Sequence, residues 1–221
     1  MSGSDALFAR ERPAAGAPAG ALVLIHGRGA DERDLLPLAD ELDPERRLHV
    51  LAPRGPLALP PGGAHWYALG GIPTPDAKTF VPTYRTLTAW LDALAEAIGV
   101  PWERTVLGGF SQGAVMSYAA GLGPGRPRPA GLLALSGFLP EVPGLRLTPQ
   151  ERPGLAVAIG HGTYDPIIPV QFGRRAAERL AADGLEVTFR ESPIDHAVDP
   201  AYLAELRGWL TSAVGARALD G

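Results

Sequence analysis

The sequence predicts an α/β protein with a mostly parallel central sheet and helices on both faces. Short apolar runs alternate along the chain with amphipathic stretches of helical spacing. Enough residues separate successive runs for the crossovers that parallel neighbours require. No linker and no internal repeat divide the 221 residues, so one domain is expected over 1–221, with 1–20 as an extended or partly flexible N-terminal segment.

Residues 22–25 form an apolar run ending in His26-Gly27 and read as a buried strand. Over 31–42, Leu35, Leu36, Leu38, Ala39 and Leu42 have helical spacing. Pro37 is easiest to place in the first turn, which favours Asp34 over Asp31 as N-cap. A strand over 48–52 stops at Pro53. Residues 53–81 are rich in glycine and proline and have little periodicity, the signature of a functional loop or lid. A helix is expected over 82–98: Pro82 begins it, Tyr84, Leu87, Leu91, Leu94 and Ile98 share a face, and Gly99 and Pro101 end it. Strands follow over 104–110, 131–136, 155–160 and 185–190, with helices over 112–122, 170–182 and 200–214. Residues 123–130 and 140–153 read as loops, the second near the site mouth.

Composition narrows the function. Hydrophobic residues make up 46% and charged residues 20%, which excludes a disordered chain. The formal charge is −4 with no basic stripe, so neither nucleic acid nor an acidic membrane surface is the expected partner. There is no cysteine, which removes disulfides, thiolate metal sites and a cysteine nucleophile. The first twenty residues lack an unbroken apolar core, and no run approaches the ~18 apolar residues of a membrane span. A cytoplasmic protein without a membrane span is expected.

In parallel sheets ligands sit beyond the carboxyl ends of the strands, so reactive side chains should lie just after strands. Gly109-Phe110-Ser111-Gln112-Gly113 lies between a strand and a helix and fits G-x-S-x-G. A serine on so sharp a turn has neighbours two positions away pressed together, which glycine relieves. The helix N-terminus under Ser111 then aims the Gln112 N–H at a developing oxyanion. The bland alternative is a glycine-rich turn with an incidental serine.

A serine nucleophile needs a histidine base and an orienting acid, in hydrolases of this build in the order serine, acid, histidine. His161 and His196 alone follow Ser111 among the five histidines. His196, before the last helix, is the favoured base and His161 the rival. Asp165, just past a strand, is the favoured orienter, with Asp195 and Asp199 as rivals; Asp199 also reads as the N-cap of the last helix. Of the others, His26 reads as a packed loop residue, His49 as a satisfied strand residue and His65 as solvated. Arg28, in the glycine-rich loop after the first strand, is assigned the second oxyanion N–H. Trp66, Leu69, Phe138, Leu139 and Ile168 follow strands or lie in the long loop and together predict an apolar acyl pocket. Aromatic residues in such a loop also serve as staples of its own core.

Taken together, Leu24-Ile25-His26-Gly27-Arg28-Gly29, Gly108-Gly109-Phe110-Ser111-Gln112-Gly113-Ala114, Leu135-Ser136-Gly137, His161-Gly162 through Asp165 with Ile168-Pro169, and His196 resemble the phospholipase/carboxylesterase family of α/β-hydrolases. That family includes acyl-protein thioesterases and small bacterial carboxylesterases. The resemblance spans residues 20–210. It implies an α/β-hydrolase fold, a Ser111–Asp165–His196 triad, and an oxyanion hole from the backbone of Arg28 and Gln112. It also implies esterase activity on a small-molecule ester, with no cofactor and no metal. Trp66-Tyr67 is followed by Ala68 where thioesterase-like members tend to carry aspartate. That departure points to short or medium carboxylic esters ahead of thioesters or lysophospholipids. A non-catalytic ligand receptor on the same fold is the rival from another class. Oligomeric state stays open, a homodimer included.

Overall fold

The computed structural model describes residues 7–215. Its centre is a seven-stranded sheet in the order β1-β3-β2-β6-β7-β8-β9. The strands are β1 (Ala9–Arg12), β2 (Gly20–Ile25), β3 (Leu48–Pro53), β6 (Thr105–Phe110), β7 (Gly131–Leu135), β8 (Ala156–Gly162) and β9 (Glu186–Ser192). All neighbours are parallel except β1, which runs antiparallel to β3 at the edge. The short strands β4 (Leu57–Leu59) and β5 (Gly63–His65) form a separate antiparallel hairpin.

Period-two side-chain alternation builds both layers. On β2, Val23 and Ile25 face the core under helices α2 (Ala77–Ile98), α3 (Gln112–Leu122) and α4 (Gln171–Ala182). Leu22 and Leu24 face the opposite core, covered by α1 (Leu36–Leu42) and α5 (Pro200–Gly215). Every residue of α3 is buried, as expected of a helix lying between the sheet and α2. No helix of the described residues is long and apolar enough to cross a membrane.

Several boundaries differ from the sequence reading, each for a local reason. The extended N-terminal segment is partly a strand: β1 pairs Ala9 with Pro53 and Arg12 with Val50. It is short and charged, so alternation cannot reveal it; residues 1–6 of that segment lie outside the described residues. Helix α2 begins at Ala77, not Pro82, because Asp76 accepts the Thr79 N–H and supplies the cap. Pro82 then sits inside the helix, removing one backbone bond in the second turn. Helix α1 begins at Leu36 without a side-chain cap; Asp34 does not cap it, and its N–H closes a turn onto Asp31 O. A short 3-10 turn (Trp102–Arg104) precedes β6, moving its start to Thr105. The 53–81 segment contains the β4–β5 hairpin and the first turn of α2 instead of continuous loop.

Candidate active site

Ser111 stands between β6 and α3 with φ 55° and ψ −119°, a conformation costly for a residue with a Cβ. The flanking glycines make it feasible. A Cβ on Gly109 would run into the backbone of Gly113, and one on Gly113 into the carbonyl oxygen of Ile25 at the end of β2. The turn therefore closes only because both positions lack side chains. Ser111 N–H donates to Leu135 O at 2.9 Å, tying the turn to β7.

His196 lies in the loop between β9 and α5. Its Nε2 is 2.9 Å from Ser111 Oγ and its Nδ1 is 2.6 Å from Asp165 Oδ2. With Nδ1–H donating to the carboxylate, the Nε2 lone pair faces the serine hydroxyl. Phe110 packs against the His196 ring at a centroid distance of 4.8 Å, a contact to which no sequence motif pointed. Asp165 is buried at the end of β8. Its Oδ1 accepts the N–H groups of Ile167 and Ile168, both at 2.8 Å. Three donors thus hold one carboxylate, leaving it little rotational freedom.

The rivals go elsewhere. His161, expected in the loop after the strand, lies on β8 itself, paired across to Glu191. Its buried Nε2 donates to Ile168 O at 2.7 Å and stands 3.5 Å from Asp165 Oδ2. It therefore braces the Asp165 turn and does not meet Ser111. Burial pushes its pKa down, only partly offset by the Ile168 bond. Asp199 accepts the Ala201 N–H and the Ser192 hydroxyl at the start of α5. Asp195 is exposed. His49 Nε2 meets Glu11 Oε2 at 3.0 Å. His65, read as solvated, instead lies in β5 with Nδ1 3.1 Å from Tyr67 O.

The loop after β2 reaches the same place, with Gly27 packed against Phe110 and Ser111. Its inner ring, His26, is held between Gly27 O at 2.7 Å and the Gly55 N–H at 2.9 Å. That pairing needs a neutral imidazole, and burial lowers the His26 pKa accordingly. Gly29 N–H is taken by Ala64 O at 2.8 Å and Ala30 N–H by Gly27 O. The Arg28 side chain is exposed.

The expected acyl-pocket residues divide. Trp66 has no exposed surface; its Nε1–H donates to His26 O at 2.9 Å, so it acts as a staple beneath the loop, not as a wall open to substrate. Leu69 is 67% exposed. Phe138 and Ile168 are buried, and Leu139 packs at the margin of the same core. The Gln112 side chain, which the motif did not flag, accepts Trp66 N–H at 3.0 Å and donates to Tyr67 O at 2.9 Å. Among the described residues, no group of three or more histidine, aspartate or glutamate side chains could hold a metal ion.

Comparison with known proteins agrees with this architecture. The family model described as Phospholipase/Carboxylesterase matches residues 12–213. Acyl-protein thioesterase 1 of Candida albicans is 30% identical over 223 residues, covering 91% of this chain and 96% of the relative. Acyl-protein thioesterase 1 of Cryptococcus neoformans is 26% identical, covering 87% and 92%. Among solved structures, esterase PE8 superimposes with a TM-score of 0.80 at 25% identity, covering 94% of this chain and 99% of its own. The Bacillus cereus carboxylesterase has the same fold, with a TM-score of 0.79 at 24% identity and 94% of each chain covered. With nearly its whole length matched by that family model, the chain belongs to the phospholipase/carboxylesterase family of α/β-hydrolases.

Proposed function

We propose that the protein is a serine hydrolase that cleaves carboxylic esters of short to medium acyl length through Ser111, His196 and Asp165. The observation that carries this is the unbroken hydrogen-bond path from Ser111 Oγ through both nitrogens of His196 to Asp165. His196 Nε2 takes the hydroxyl proton as Ser111 Oγ attacks the ester carbonyl. Asp165 fixes the tautomer and stabilises the imidazolium. The tetrahedral oxyanion is met by the backbone N–H groups of Gln112 and Arg28, each worth about 3 kcal/mol. Collapse breaks the ester C–O bond. The alcohol leaves with the proton from His196, and the acyl group stays on Ser111. Water, deprotonated by His196, then attacks the acyl-enzyme and releases the carboxylic acid and free serine.

A fluorophosphonate probe tests the nucleophile: it should label the wild type at Ser111 and leave Ser111→Ala unmodified. Absence of an adduct on the folded wild type would favour a non-catalytic receptor. The names of the fungal relatives support thioester cleavage on the same three residues as a second reading. Relative kcat/KM on acyl esters and acyl thioesters of matched chain length decides between them.

A further inference from the structure

A groove of about 770 Å³ lies between α4 and the segment after β7. It touches none of Ser111, His196 or Asp165. Two runs of contacts nevertheless link its walls to the turn that bears Ser111. Gly137, following β7, packs on Ala114 in the first turn of α3 and near the Ser111 carbonyl. The next residue, Phe138, meets Phe172 of α4 at 6.3 Å, and Phe172 and Leu139 line the groove. From the other side, the segment gripped by Gln112 at Trp66 and Tyr67 continues to Pro73, whose carbonyl accepts the Glu141 N–H at 2.8 Å. Pro73 and Glu141 both line the groove.

The walls are apolar, but the lining carries three arginines and one glutamate in a chain of formal charge −4. Arg179 is engaged by Asp183 at 2.6 Å. Arg146 and Arg175 have no carboxylate partner among the described residues, and the Arg175 guanidinium lies over the Phe172 ring at 5.7 Å. An aromatic face that orients a guanidinium leaves its N–H fork free for an anion.

We propose that this groove seats the far end of the substrate, and that this end is an anion, such as a carboxylate, carried on an apolar chain. The inference rests on the esterase reading and narrows its substrate class. Leu139 and Phe172 cover the chain, and Arg146 and Arg175 meet the terminal charge. The anion belongs to either the acyl or the alcohol portion, and paired substrates distinguish these. On the acyl side, 4-nitrophenyl hydrogen suberate is compared with 4-nitrophenyl octanoate. On the alcohol side, the hexanoyl ester of 6-hydroxyhexanoate is compared with hexyl hexanoate. In one pair the anionic member should be favoured in kcat/KM by about tenfold, chiefly through KM. That ratio should fall towards one in an Arg146→Ala/Arg175→Ala variant. Ratios near one in both pairs, or a preference that survives the double substitution, overturn the proposal. A thermal-shift titration of Ser111→Ala with suberate reads the groove without turnover. Saturable stabilisation there, lost with both arginines, supports the groove even if the serine mechanism fails; no stabilisation counts against the groove alone.

Discussion

Gln112 holds Trp66 by its main chain: the side-chain Oε1 accepts the Trp66 N–H at 3.0 Å, while Nε2 donates to the neighbouring Tyr67 carbonyl at 2.9 Å. The residue after Ser111 is thereby fastened to the long segment between β3 and α2. Gln112→Leu leaves the buried Trp66 N–H unpaired at about 1–3 kcal/mol, while the Tyr67 carbonyl keeps His65 Nδ1 as its partner. The variant should melt lower and lose ester hydrolysis in step with loosening of residues 63–76, read by hydrogen exchange. An unchanged exchange pattern would disprove the clamp.

Asp165→Asn should preserve the fold and cut kcat by about 10⁴-fold, because the amide lets the His196 ring settle with Nδ1 as acceptor. Steady-state kinetics of the variant beside the wild type, with circular dichroism to check the fold, make the measurement. A kcat close to that of the wild type would remove Asp165 from the mechanism.

Gly113→Ala should destabilise by more than about 3 kcal/mol, since its Cβ would occupy the position of the Ile25 carbonyl oxygen and only a backbone shift could relieve it. Gly208→Ala, on the open surface of α5, has nothing within 4 Å of the new Cβ and should be neutral or slightly stabilising. Urea midpoints of the two variants make the comparison.

His26 and His161 are both buried with pKa values lowered from 6.5. The unfolded chain therefore binds protons first as pH falls. Their stabilising contribution is complete above 6.5 and is lost progressively below it, down to the lower native values. Glu32 behaves as a carboxylate whose pKa is lowered: burial opposes ionisation, but the Arg54 bond at 2.9 Å and nearby arginines outweigh it. Its contribution holds above 4.5 and fades at lower pH. Urea midpoints should thus decline in two stages, the first below about pH 6.5; a midpoint constant from about pH 8 to 5 would refute the histidine stage.

The inner strands were legible because each is a short apolar run with glycine, serine or proline at its end or within two residues beyond it. The edge strand β1 was not, because Arg10, Glu11 and Arg12 carry no alternation and pair only through tertiary contact with β3. The start of α2 was misplaced because Pro82 is a strong local signal, whereas the Asp76 cap is one residue in an irregular stretch. At the site, chain order set out Ser111, Asp165 and His196 as a group, and small flanking residues marked the turn. The bracing by His161, the packing of Phe110 on His196 and the inward position of Trp66 depend on side chains meeting across the sheet. Trp66 reads alike as wall or staple until its indole is seen to donate to His26 O.

The contact of Gly113 with the end of β2 has a consequence for adaptation. Two main chains touch there, so the spacing between the turn bearing Ser111 and the loop bearing Arg28 is set by atoms common to every residue type. Side-chain replacement cannot retune it gradually. On the proposed function, a shift in substrate preference has to arise further out, at exposed positions such as Leu69, Arg146 and Arg175, where a changed side chain has room to vary.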